Sequence, residues 1–307
     1  MSDVGATGAA EALAPPVSTP RSGASAWWRR LQAMPPSVRG AALILVVAVV
    51  VAAGARWMAP FSYQETDLLH RLQVPLDVEA VAAGHWLGTD KLGRDVLSRL
   101  LVATQVSVAL ALLGTVIGAV LGTALGILAA HRGGWVDELV MMMVDWQAAM
   151  PFLIIALAML AFLGNSLALF VLLMGIFGWE TYARLARGLL LSAREHGYAV
   201  AVRSLGASPQ RLYLRHLLPN VMSPLVVQLS LNFPQTILLE TSLSFLGLGI
   251  QPPLTSLGQM LGEGRDFLLT AWWLAVLPGS VIFATTLSMS ILGDWLRARL
   301  DPTQRPG

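Results

Sequence analysis

The chain has no cysteine, which removes disulfides, thiolate metal sites and cysteine nucleophiles together. Its sole lysine, Lys91, lies between Gly88-Thr89-Asp90 and Leu92. A phosphate-cradling G-x-x-x-x-G-K-[ST] loop is therefore absent, and ATP binding of that kind with it. No two of the five histidines stand four residues apart, so the helical zinc-protease spacing is missing as well. Charged residues make up 12% of the 307, about half the usual ~25% of a soluble domain. The 20 basic and 18 acidic residues nearly cancel, to a net of +2, which argues against nucleic acid as a partner. Ion-coupled carriers place paired ionisable groups at mid-membrane. Here only Asp145, Glu180 and Glu240 lie in or beside apolar runs, each near the end of a run, where a neighbouring helix can satisfy it.

What is abundant is apolar surface: 55% hydrophobic residues and 28 glycines, with a mean hydropathy of +0.65. Such a composition needs lipid as its solvent. A helix crosses ~30 Å of hydrocarbon with about 20 mostly apolar residues. Nearly charge-free windows of that kind run between Arg39 and Arg56, between Arg99 and His131, from Trp146 to Trp179, from Val221 to Leu239 and from Leu268 to Gly293. The third is too long for one span, and Gly164-Asn165-Ser166 marks a turn within it. Six transmembrane helices are expected, the first reading as an uncleaved span and not a secretory signal. The expected fold class is therefore all-α, a polytopic membrane protein.

With six spans both termini share one side. That side carries 14 basic residues, among them Arg184, Arg187, Arg194, Arg203, Arg211 and Arg215 in one connection, against five on the other. The bias places both termini in the cytoplasm. Trp27, Trp28, Trp57, Trp86, Trp135, Trp272 and Trp273 fall near span ends and suit an interfacial belt. Residues 1–38, rich in Ala, Pro, Ser and Gly, read as a flexible tail. Residues 39–60 form the first span, 61–99 an external loop, 100–298 a five-helix core and 299–307 a second tail. Gly114, Gly118, Gly122 and Gly126 give one smooth face for helix packing.

The segment 192–220 parses as a helix, a sharp turn and a second helix. Ser192 and Glu195 fit a capping box, Gly206 a left-handed stop, and Ser208-Pro209 an N-cap followed by proline at the first helical position. Leu214, Leu217, Leu218 and Val221 then form an apolar helical stripe. Such an element suits either a lipid surface or a protein partner.

Three blocks together resemble a known family. They are Gly88-Thr89-Asp90-Lys91-Leu92-Gly93-Arg94-Asp95-Val96-Leu97-Ser98-Arg99; the 192–220 segment, ending Arg215-His216-Leu217-Leu218-Pro219-Asn220; and Glu240-Thr241-Ser242-Leu243-Ser244-Phe245-Leu246-Gly247-Leu248-Gly249-Ile250-Gln251-Pro252-Pro253. From about residue 85 to 303 the chain resembles the inner-membrane permease subunits of binding-protein-dependent ABC importers, in the dipeptide, oligopeptide and nickel branch. The resemblance implies a non-enzymatic subunit of the bacterial inner membrane that imports peptides. It also implies a second homologous permease, two cytoplasmic ATPases that hold the ATP and Mg, and an external solute-binding protein. No cofactor is expected on this chain. Nickel or another solute, or a self-sufficient carrier or channel, are the alternatives.

The loop 190–220 looks like that family's EAA loop, whose helix docks on the ATPase. Glu195, Val200, Ala201, Arg203, Leu205, Gly206 and Pro219 are the implied coupling residues. Where the family motif reads Glu-Ala-Ala this chain has Val200-Ala201-Val202, so its usual acid is missing. Glu195 cannot replace it, lying about 140° round the helix from Val200. Gly88, Asp90, Gly93, Arg94 and Asp95, with Ser244, Gly247 and Gly249, are candidates for docking the binding protein or gating its exit. A plainer reading of 88–95 has Thr89 or Asp90 capping the second span.

Overall fold

Pro36 at the first helical position, behind Pro35, opens α1 (Pro36–Met58), where a missing N–H costs nothing. The computed structural model describes residues 34–300; Trp27, Trp28 and most of the two tails lie outside the described residues. A loop carrying the short α2 (Val78–Ala82) leads to α3 (Val96–Arg132). At 1.5 Å per residue, the 37 residues of α3 reach about 55 Å, the full depth of a bilayer with its headgroups. There follow α4 (Gly134–Ala149), α5 (Phe152–Leu163), α6 (Leu167–Ile176), α7 (Trp179–Ala193) and the short α8 (Gly197–Ser204). The one-turn α9 (Pro209–Arg211) and a π-helical turn at Leu212–Leu217 lead into α10 (Leu218–Phe245). The last elements are α11 (Leu257–Gly264) and α12 (Trp273–Leu300). Among the described residues the regular secondary structure is helical apart from one isolated bridge between Thr89 and Asp95.

Among the described residues four helices are long and apolar enough to cross a membrane: α1, α3, the combined run Leu167–Ala193, and α12. A fifth follows if α4 and α5, bent by 86°, form one broken span. The bend falls at Met150-Pro151, because proline's ring and missing N–H end α4. The expected six is thus reached only by counting α10, whose 28 residues are long enough but include Asn232, Gln235, Thr236 and Glu240. The turn at 164–166 is where the sequence places it. The breaks at Pro151 and Gly178 are additional.

The glycine stripe of α3 works as packing. A Cβ on Gly114 would sit 2.7 Å from Met174 Cβ, one on Gly122 2.2 Å from the Trp179 carbonyl, and one on Gly126 2.5 Å from the Ala183 carbonyl. Backbone thus lies against backbone along α6 and α7, the close approach that small residues allow in lipid. On an adjoining face of α7, α4 is held by polar side chains. Arg187 pairs with Asp137, Arg184 with Asp145 at 3.0 Å, and Gln147 accepts from Trp179 Nε1 at 2.7 Å and donates to Glu180 at 3.2 Å. The carboxylates of Asp145 and Glu180 are satisfied by a neighbouring helix, as expected. Glu240, fully buried, accepts from Ser107 Oγ of α3 at 3.0 Å and Ser244 Oγ at 2.8 Å.

The candidate coupling segment and the loop clasp

The exit from α7 differs from the expected capping box. Ser192 lies inside α7, which runs on to Ala193, and His196 stands at the N-cap of α8 without a side-chain cap. The apolar face Tyr182, Ala186, Leu190, Ala193 is buried as one stripe and carries the helix past Ser192; packing outweighs the local capping signal. The stop comes where the sequence places it. Gly206 takes φ +78° with nothing within 4 Å of an added Cβ, so the left-handed turn and not lack of space calls for glycine. Ser208 Oγ then accepts from Arg211 N, with Pro209 at the first helical position.

On α8, Ala199 is buried and Val202 packs against the same cluster. Three residues apart, they form the inner face. Val200, Ala201, Arg203, Leu205 and Gly206 point outward, as does Glu195 before the helix, and Leu205 is 87% exposed. Pro219, in the first turn of α10, is exposed too. Of the seven implied coupling residues, Val200, Ala201 and Arg203 are exposed on α8, Glu195, Leu205 and Gly206 are exposed beside its ends, and Pro219 is exposed on α10. A cleft of about 700 Å³ opens beside α8, lined by His131, Arg194, Val200, Arg203 and Tyr213.

This segment is fastened to the end of α3. Tyr213 Oη donates to the Ala130 carbonyl at 3.0 Å, and the His131 and Tyr213 rings meet edge-on with centroids 5.1 Å apart. Tyr213 lies in the π-helical turn, whose extra residue shifts the helical register. The expected stripe breaks there: Leu217 and Val221 are buried, Leu218 half-buried, and Leu214 is 59% exposed while Leu212 and Tyr213 take its place inside. A 3.6-residue period could not show this shift.

At the other end of α3 the loop 88–99 is clasped to α11. Asp90 Oδ2 accepts from Arg94 Nε at 2.6 Å and Arg99 Nη1 at 2.5 Å, and Oδ1 from the backbone N–H of Leu92 and Arg94. Glu263 of α11 accepts from the same two arginines at 3.1 Å each. Burial would raise the Asp90 carboxyl, but the Arg99 and Arg94 guanidiniums outweigh it and hold it below the usual carboxylate range. Asp95, and neither Thr89 nor Asp90, caps α3: its Oδ2 accepts from Ser98 N at 2.7 Å, and its Oδ1 lies 3.1 Å from His85 Nδ1. Gly88 and Gly93, both at positive φ, let the backbone pass where a Cβ would strike the carbonyls of Gln73 and Asp67. Trp273, expected in the interfacial belt, is buried here and donates from Nε1 to the Thr89 carbonyl; Trp57, Trp86, Trp135 and Trp272 are exposed.

Ser244, Gly247 and Gly249 shape the turn that follows α10. Gly247 takes φ +84°, and a Cβ on Gly249 would lie 1.9 Å from Ser244 Oγ. Of the external candidates, Asp90, Asp95 and Ser244 are buried and build the loops from within, while Lys91 and Leu92 are what the clasp exposes. Sequence reasoning did not single out Arg99, Glu263, Ser107 or Tyr213. Arg99 and Tyr213 stand inside the matching blocks, but no local spacing says which distant residues they meet.

Membrane-length helices around a polar-pinned α10, with a short exposed helix set in one connection, define a multi-pass membrane protein. The chain matches the family of the binding-protein-dependent transport system inner membrane component over residues 122–306, and it belongs to that family. It is 36% identical over 290 residues, 94% of each chain, to the glutathione transport system permease protein GsiD of Pectobacterium atrosepticum. To the protein of the same name from Escherichia coli O6:K15:H31 it is 38% identical over 279 residues, 90% of this chain and 89% of that one. The fold also matches an inward facing conformation of the MetNI methionine ABC transporter, with a TM-score of 0.52 and 20% identity over 66% of this chain and 97% of that one. The protein is thus a multi-pass inner-membrane permease of an ABC importer.

Proposed function

We propose that this chain moves peptides or peptide-like solutes, glutathione among them, through a path shared with a second permease. Two cytoplasmic ATPases binding ATP and Mg drive it, and an external binding protein delivers the solute. The chain itself is not an enzyme and holds no cofactor. The observation that carries the reading is α8. Ala199 and Val202 anchor it to the bundle, while Val200, Ala201, Arg203 and Leu205 stand outward on a helix ended by Gly206. A short helix so held passes a push to the spans, biasing a two-state bundle. The permeases named for glutathione at 36–38% identity support a peptide class of solute. The arginine bias supports cytoplasmic termini and a cytoplasmic α8. With Val200 in place of an acid, the docking face is more apolar than the family motif implies.

The test is purification of the tagged chain from native membranes in mild detergent, with mass spectrometry of what accompanies it. Recovery of a second permease and P-loop ATPases, followed by ATP-dependent uptake of glutathione or a dipeptide in liposomes, is the expected result. Recovery of the folded chain alone, with flux independent of ATP, would favour a self-sufficient carrier or channel.

A further inference from the structure

Most spanning faces that the bundle exposes are apolar: Val46 and Val50 on α1, Leu113 and Val120 on α3, Phe283 and Leu287 on α12. One face of α10 is different. Gln228, Leu231, Gln235, Leu238, Ser242 and Phe245 recur at alternating steps of three and four, and seven residues return to within about 20° of the same direction. Gln235 is exposed, Leu238 is 50% exposed, and Gln228, Leu231 and Ser242 are half-buried. The Ser242 hydroxyl is satisfied by the Leu238 carbonyl. Among the described residues, neither glutamine amide has a hydrogen-bond partner. Gln105 and Gln147, the other glutamines of the long helices, both do.

A primary amide facing acyl chains leaves two N–H groups and a carbonyl unpaired, a state that spanning structures avoid. Water, or groups moving through water, meets that demand. We propose that this face of α10 lines the solute path, with the Gln228 and Gln235 amides as its hydrogen-bonding contacts for peptide groups. An uncharged amide both donates and accepts, matching the N–H and C=O of any peptide bond without selecting a side chain. It also binds weakly enough to let the solute pass. The Leu231 and Leu238 side chains between the amides give the wall apolar contact. This inference rests on the permease reading above and adds to it the residues and the chemistry.

The absence of native cysteine makes the test direct. Gln235→Cys, Leu238→Cys and Ser242→Cys are each introduced into the full complex, with Leu113→Cys and Phe283→Cys as controls. Reaction of this chain with a charged, lipid-insoluble methanethiosulfonate is then followed, with and without glutathione or a dipeptide. The expected result is labelling at 235, 238 and 242, loss of that labelling when a transported probe is present, and no labelling at 113 or 283. If one variant fails to assemble, the other two read the same face. No labelling at any of the three in a complex that still transports would overturn the proposal and show the face covered by a helix of the second subunit. Labelling that no transported probe slows would overturn it as well. Failure of the unaltered complex to take up either probe with ATP would instead overturn the peptide reading, and the uptake assay reports that separately.

Discussion

Tyr213 Oη donates to the Ala130 carbonyl at 3.0 Å, joining the segment behind α8 to the last turn of the longest helix in the bundle. With the longer Arg194 Nη1 contact to the same carbonyl at 3.5 Å, the bond ties the exposed coupling element to α3, whose far end carries the clasp of Asp90, Arg94, Arg99 and Glu263. A displacement of α8 therefore reaches a rigid element about 55 Å long. Tyr213→Phe keeps the ring against His131 and removes about 1 kcal/mol of net hydrogen bonding. The reconstituted complex should retain ATP hydrolysis and lose solute moved per ATP. An unchanged ratio would show that the tie plays no part in transmission.

Packing of α3 against α7 is tested by two glycines with opposite surroundings. At Gly122 a Cβ would lie 2.2 Å from the Trp179 carbonyl, whereas at Gly188 nothing lies within 4 Å. Gly122→Ala should destabilise the bundle by about 1–3 kcal/mol through overpacking. Gly188→Ala, at an exposed helical position, should be neutral or stabilising by up to about 1 kcal/mol. Thermal unfolding of the purified protein in detergent checks both. Equal effects at the two sites would contradict the close backbone approach.

The clasp sets an acid limit. Asp90 titrates below its unfolded value because Arg99 and Arg94 outweigh its burial. Its contribution to stability is therefore fully present above the unfolded carboxyl value of about 3.9 and is lost as pH falls through the lower folded value. Melting temperature should hold steady from neutral pH down to about 5 and fall below 4, with that acid-side fall reduced in Asp90→Asn. At neutral pH, Asp90→Ala should cost about 3–5 kcal/mol, since Arg99 would keep a buried charge with Glu263 as its remaining partner.

Glu240 pins three segments in the same region, taking hydrogen bonds from Ser107 of α3 and from Ser244, while Ser107 Oγ accepts from Leu257 N at the start of α11. Glu240→Leu should destabilise by about 1–3 kcal/mol by leaving the hydroxyls unmatched. Glu240→Gln should restore most of the loss in the same unfolding measurement.

Much of the fold was legible because lipid imposes simple rules. Charge-free windows located α1, α3 and α12, and the Gly114 to Gly126 repeat announced a packing face. Gly206 and Ser208-Pro209 fixed the turn after α8 through local backbone chemistry alone. What stayed hidden depended on distant contacts. Ser192 resembled a cap until the buried stripe of α7 carried the helix past it. Trp273 resembled a belt residue until the Thr89 carbonyl was seen to take its N–H. The π-helical turn moved Leu214 out and Tyr213 in, a shift that no period in the sequence records. Asp90 and Asp95 read as surface candidates, yet one is the hub of a buried ion cluster and the other the helix cap. At the coupling segment the outward residues were legible, while their fastening to Ala130 was not.

Gly206→Pro tests coupling through α8 most directly, because proline forbids φ +78° and removes the N–H that Gly206 donates to the Arg203 carbonyl. Uptake of glutathione or a dipeptide driven by ATP is measured alongside the amount of this chain in the membrane. The expected result is insertion at the normal level with uptake abolished and the ATPases no longer copurifying. Normal uptake by that variant would contradict the coupling role of α8.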